Sequence, residues 1–338
     1  TGYSIAPGLV DTHIHGFGGV DVMDNNIEGT LHTMSEGLLS TGVTSFLPTT
    51  LTSSYEQLLA VTENIGARYQ EASGAKIRGI YFEGPYFTEK YKGAQNPAYM
   101  KDPRMDEFRA WQKAANGLLN KIALAPEREG VEDFVRTITG EGVTVALGHS
   151  NATFDEAKKA VDAGASVWVH AYNGMRGLTH RELGMVGAMY ELPHTYAELI
   201  CDGHHVDPKA CDILLKQKGT ENIALITDCM TAGGLEDGDY MLGEFPVVVV
   251  NGTARLKSTG NLAGSILKLK DGLKNVVEWG IANPHEAVMM ASLNPAKSVH
   301  IDDVCGQIRE GYDADFIVLD KDLELVATYL DGVKRYQA

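Results

Sequence analysis

Short apolar and β-branched runs recur eight times between residues 9 and 226, and most are followed by a helical pattern. The runs fall at 9–14, 43–47, 77–82, 122–125, 143–147, 166–169, 196–201 and 223–226. Helical periodicity covers 27–40, 106–119, 131–139, 153–163 and 207–216. A further helix, to about residue 72, is predicted to start with Ser53 as N-cap and Glu56 three residues on. Strands that alternate with helices build parallel sheets, so this pattern predicts an α/β fold. Eight units suit a (β/α)8 TIM-type barrel; the alternative is a doubly wound open sheet.

Chemistry favours the barrel. His13, His15, Glu83, His149, His170 and Asp228 all stand at or just past strand C-terminal ends. In a barrel those ends converge on one mouth, whereas in an open sheet they spread along an edge. His13 and His15 are one residue apart and so share a face of their strand. Two imidazoles placed in this way are half of a metal site. A lone His-x-His pair is often accidental. Each of the other four has a structural alternative, such as a core histidine or a cap. Together, in a chain with 11 histidines, they read as a His/carboxylate site suited to Zn2+ or Fe2+. A bound divalent ion makes water nucleophilic near neutral pH, and Asp228, alone at the end of the eighth strand, suits proton transfer. The implied chemistry is metal-assisted hydrolysis of an amide or ester.

Composition narrows the partners. The 45 acidic and 29 basic residues give a formal charge of −16 over 338 residues. Such a chain offers no basic field for nucleic acid, and an anionic substrate must be captured by a few local cations. Cys201, Cys211, Cys229 and Cys305 show no paired spacing, so reduced thiols and a cytoplasmic location are expected. Cys229 beside Asp228 reads as a buried structural thiol rather than a nucleophile. No apolar run approaches the roughly 20 residues needed to span a bilayer, so no membrane partner is expected.

Beyond Asp228 the pattern changes. Residues 238–257 read as a β-hairpin inserted between the last strand and its helix, and 265–279 and 286–291 read as closing helices. The barrel domain is thus assigned to 1–300, and 301–338 to part of a small β domain. Three short strands cannot bury a core alone, and the chain opens at Thr1 almost directly in a strand. The other part of this small β-sandwich is therefore expected upstream.

His13-Ile14-His15-Gly16 after Pro7-Gly8, with Gly306-Gln307-Ile308-Arg309-Glu310-Gly311-Tyr312-Asp313-Ala314-Asp315 near the end, resembles the amidohydrolase superfamily. Within it the chain is similar to the N-acetylglucosamine-6-phosphate deacetylase family. The motifs that carry this likeness are Phe82-Glu83-Gly84-Pro85, Gly93-Ala94-Gln95-Asn96-Pro97, Leu124-Ala125-Pro126-Glu127, Gly148-His149-Ser150, His170-Ala171-Tyr172-Asn173-Gly174-Met175, Asp202-Gly203-His204-His205, Thr227-Asp228 and Leu262-Ala263-Gly264-Ser265.

The resemblance implies removal of acetate from an N-acetyl amino-sugar phosphate by an enzyme with two divalent ions. Glu83 would bridge them, His149 and His170 would complete one site, and His13, His15 and Asp228 would build the other. Substrate contacts would come from Ala94, Gln95, Asn173, Gly174, His205, Asn261, Leu262 and Ala263. Gln95 departs from relatives that carry a histidine there. Arg181 would reach the phosphate from a neighbouring subunit, which implies a homodimer; a guanidinium is well shaped for phosphate. Lys90 and Lys92 read as solvated residues near the mouth. Two alternatives stay open: an amidohydrolase acting on a cyclic or aryl amide, and a non-catalytic sugar-phosphate binding protein. The dihydroorotase branch carries a carboxylated lysine at the end of the fourth strand, where this chain has Ala125-Pro126.

Overall fold

The structure is a computed structural model that describes residues 2–24 and 27–338. Among these residues, eight parallel strands form the barrel: β1 (Leu9–Ile14), β2 (Val43–Thr50), β3 (Ile80–Tyr86), β4 (Leu119–Leu124), β5 (Thr144–Leu147), β6 (Val167–Trp168), β7 (Tyr196–Leu199) and β8 (Ile223–Leu225). Each pairs in parallel with the next in sequence. The ring closes where Ile14 bridges Cys229. There the Asp228 N–H donates to the His13 carbonyl and the His15 N–H to the Cys229 carbonyl, both at 2.9 Å. Thr227 Oγ1 adds a 2.6 Å bond to the buried Asp11 carboxylate. These contacts between the first and last strands select the barrel over the open sheet.

Strand alternation sorts the side chains. Ile80 and Phe82, Ile122 and Leu124, and Val145 and Leu147 point outward into one apolar layer beneath the helices. Tyr81, Ala123, Ala146 and Val167 point inward and pack together. Glu83, Lys121 and Glu198 share this inward face with Tyr81, so the barrel interior is unusually charged.

Several boundaries differ from expectation. The second helix runs Tyr55–Arg68 with Ser54, not Ser53, as N-cap, because Ser54 Oγ accepts the Gln57 N–H. The helix expected over 106–119 spans Met105–Ala114. Asn116 and Gly117 then adopt left-handed backbone and turn the chain into β4, which starts three residues earlier than predicted. The helix expected from 265 begins only at Leu269, because Ser265 is held to barrel closure through a 2.7 Å bond from its N–H to the Asp228 carbonyl. The inserted hairpin region forms as a three-stranded antiparallel sheet of Gly238–Leu242, Phe245–Val250 and Thr253–Leu256. It roofs a separate apolar cluster around Met230, Val247, Val249 and Ala263.

The chain ends meet in a four-stranded antiparallel sheet, with Ser4–Pro7 beside Phe316–Leu319, then Leu325–Leu330 and Val333–Gln337. One face packs on the barrel through Ala6, Ile317, Leu325 and Leu330. Lys76 ties it further, pairing with Asp313, Asp315 and Asp331 at 2.7–3.0 Å. Among the described residues, no helix is long and apolar enough to cross a membrane.

Candidate active site

Glu83, midway along β3, stands at the centre of the mouth and is buried. Its Oε1 lies 3.1 Å from His149 Nε2 and 3.2 Å from His170 Nε2. Its Oε2 lies 3.0 Å from His15 Nε2. Asp228 Oδ1 faces His15 Nε2 at 3.0 Å and His13 Nε2 at 3.4 Å. Two groups of donor atoms result, His13–His15–Glu83–Asp228 and Glu83–His149–His170, each within 4.8 Å and sharing only Glu83.

The outer nitrogen of every imidazole is already engaged. His15 Nδ1 donates to the Thr49 carbonyl at 3.1 Å, His149 Nδ1 to the Tyr91 carbonyl at 2.8 Å and His170 Nδ1 to the Asn173 carbonyl at 3.0 Å. His13 Nδ1 donates to Glu198 at 3.0 Å. A carbonyl can only accept, so these bonds leave the Nε2 lone pairs turned to the centre, the tautomer a metal needs. His13 Nε2 is buried without a hydrogen-bond partner. The field also favours a cation. Burial lowers the His13 pKa, but Glu198, Asp228 and Glu83 outweigh it and raise it to about 9. His15 and His170 are likewise held above the usual imidazole range despite burial, by the hydrogen bonds and charges of the site carboxylates. All-imidazole and carboxylate donors, preset tautomers and a proton-attracting field fit divalent metal.

Backbone strain collects here. His149, His170 and Asp228 have φ of 45°, 25° and 50°. Left-handed backbone is unfavourable for such residues and aims their side chains out of the strand line into the mouth. The loop carrying His149 is stitched by Glu127, which accepts from Thr88 Oγ1, Ser150 Oγ and Asn151 N at 2.6–2.7 Å. Gly174, at φ 62°, lies against this ring: a Cβ there would sit 3.0 Å from His149 Nδ1.

A cavity of about 380 Å3 opens above the cluster, lined among others by Ala94, Gln95, Asn173, Gly174, His205, Asn261 and Leu262. The sequence singled out all seven. Ala263 is instead fully buried in the apolar cluster under the inserted sheet. Arg181 is exposed and does not line this cavity. Gln95 turns inward: its amide donates to Glu83 Oε2 at 2.8 Å while its carbonyl accepts the Thr52 N–H at 2.8 Å. His205 Nδ1 is held by Asp202 at 2.6 Å. Cys229 is buried, and burial pushes its thiol well up, as expected of a structural residue. Lys90 and Lys92 border a smaller pocket that shares Gly93, Ala94 and Asn261 with the cavity. A larger cleft of about 540 Å3 lies alongside, but Asp21, Asp24 and Glu244 line it and would repel an anion.

Residues 4–335 match the amidohydrolase family. The chain belongs to the amidohydrolase family. It is 40% identical over 329 residues to N-acetylglucosamine-6-phosphate deacetylase of Vibrio furnissii, covering 97% of this chain and 82% of that protein. It is also 40% identical over 329 residues to N-acetylgalactosamine-6-phosphate deacetylase of Escherichia coli O157:H7, covering 97% and 86%. Among solved structures, this amidohydrolase superposes with a TM-score of 0.94 at 31% identity on a Mycobacterium smegmatis N-acetyl-D-glucosamine-6-phosphate deacetylase variant in complex with N-acetyl-D-glucosamine-6-phosphate, covering 99% and 87%.

Three residues of this amidohydrolase site escaped sequence reasoning. Glu198 and Lys121 are fully buried and ion-paired beneath His13. Their signal was a charge at an inward position of an otherwise apolar strand. Arg255, on the inserted sheet, lines the cavity and makes no ion pair among the described residues. An isolated arginine in a strand carries no such signal.

Proposed function

We propose that this amidohydrolase removes the acetyl group of N-acetyl-D-glucosamine 6-phosphate, releasing acetate and D-glucosamine 6-phosphate in amino-sugar catabolism. The single observation that carries this reading is the pair of Nε2/carboxylate clusters at the floor of a cavity whose walls are the residues of the deacetylase motifs. The cytoplasm suits four free cysteines.

His13, His15 and Asp228 would hold one divalent ion and His149 and His170 a second, with Glu83 between them; Zn2+ and Fe2+ both match the donors. Held there, a divalent ion would lower the pKa of water to about 7 and polarise the amide carbonyl. Asp228 accepts the proton of the attacking water at its free oxygen and returns it to the departing amine nitrogen. Burial raises the Asp228 pKa, but His13 and His15 outweigh it and hold it below the usual carboxylate range. Gln95 holds Glu83 in place. Ala94, Asn173, Gly174, His205, Asn261, Leu262 and Ala263 shape the sugar-phosphate pocket, the last from below. Arg255 from the same chain and Arg181 from the neighbouring subunit of a homodimer supply cations for the phosphate.

Asp228→Asn should keep its metal and lose turnover by about 10^2–10^4-fold. Near-normal turnover in that variant would sink the assignment. The galactosamine epimer is a second reading, favoured by the equal 40% identity to the N-acetylgalactosamine-6-phosphate enzyme. Comparing kcat/KM on both phosphorylated epimers and on unphosphorylated N-acetylglucosamine separates the readings. Equal rates with and without phosphate would exclude both.

A further inference from the structure

One cluster of charged side chains has no part in the chemistry above. Lys121 on β4 and Glu198 on β7 are 0% and 1% exposed and form an ion pair in the barrel interior. Glu198 Oε2 accepts Nδ1–H of His13 at 3.0 Å and the backbone N–H of His170 at 3.2 Å. Lys121 Nζ donates to the Thr12 carbonyl at 3.3 Å and stands 3.9 Å over the Tyr81 ring. That ring in turn packs edge-on to His13, with centroids 4.9 Å apart.

We propose that the Lys121–Glu198 pair is a positioning device that gives the His13–His15 half of the cluster its affinity for a divalent ion. The inference rests on the two-ion reading above. An ionised carboxylate only accepts hydrogen bonds, so Glu198 obliges His13 to carry its proton on Nδ1 and to present Nε2 toward Glu83 and Asp228. The other three imidazoles are set by backbone carbonyls, which no substitution can remove. His13 alone depends on a side chain, and that side chain depends on Lys121 for its counter-charge. A lone buried carboxylate is costly; a buried pair replaced by neutral residues of similar size often is not. This difference separates positioning from mere stability.

The test uses the full chain with zinc. Metal per subunit is measured against free Zn2+ for wild type, Glu198→Gln, Lys121→Met and the double variant, alongside thermal melting. Wild type should bind two ions. Both single variants should melt lower, and the double variant should regain most of the loss. Glu198→Gln and the double variant should bind the ion of the His13–His15 half about 10–100-fold more weakly, with the ion of the His149–His170 half unchanged. A double variant that binds both ions with wild-type affinity overturns the proposal and leaves the pair a stabilising role only. Wild type that binds a single ion overturns the two-ion reading itself. If the variants do not fold, nitrogen-15 spectra of His13 in zinc-loaded wild type decide: the proposal requires a proton on Nδ1, and metal on Nδ1 refutes it.

Discussion

The two halves of the candidate metal cluster share Glu83 but are built by different means. His13 lies within the first strand and His15 just past its end, and His13 meets the charged residues of the barrel interior. His149 and His170 project from strand ends in left-handed backbone, and loop carbonyls of Tyr91 and Asn173 fix their rings. In the first half His13 is set by a buried side-chain carboxylate and His15 by the Thr49 carbonyl, whereas in the second both imidazoles are set by loop carbonyls. The contrast teaches where each half is vulnerable: the first to loss of a buried charge, the second to any change that moves a loop.

The comparison breaks most completely at the shared residue. Glu83→Gln should empty both halves and bring activity to background, as metal analysis and acetate release would show. Retention of a full metal complement would mean that Glu83 is not the common ligand.

Metal removal should expose the electrostatic half. Without ions, Glu83, Asp228 and Glu198 are countered, among the described residues, by imidazoles and Lys121. Burial opposes the charged imidazole, yet the three carboxylates raise His13 from 6.5 to about 9. A pKa raised by folding stabilises fully below the unfolded value and is lost as pH rises through the folded value. Chelated protein should therefore lose stability between about pH 6.5 and 9, and metal-loaded protein should not. Thermal melts across this window, with and without chelator, check it; parallel pH profiles would contradict it.

The smallest effect belongs to the loop-built half. Gly174→Ala places a Cβ 3.0 Å from His149 Nδ1 at φ 62°, a strain of about 1–2 kcal/mol. Zinc held by Glu83, His149 and His170 should bind several-fold more weakly, while the His13 half keeps its affinity. A uniform loss across both ions would blur the division.

The candidate ligands were legible in the sequence because each interrupts or directly follows an apolar run as a His or carboxylate. The barrel was legible for the same reason, since those interruptions make sense only if the strand ends converge. Glu198 and Lys121 were not, because their meaning lies in each other. They stand 77 residues apart, and only barrel closure brings the two charges together. The motif around Gln95 points to a substrate contact, whereas its bonds to Glu83 and Thr52 depend on a loop path that periodicity does not encode. Ser53 and Ser54 are equivalent in local sequence, and only the geometry of helix entry selects Ser54.

The division into two halves is tested most directly by the metal content of His13→Ala/His15→Ala. One ion should be lost, and one should stay on Glu83, His149 and His170. Loss of both ions, or of neither, would contradict the division.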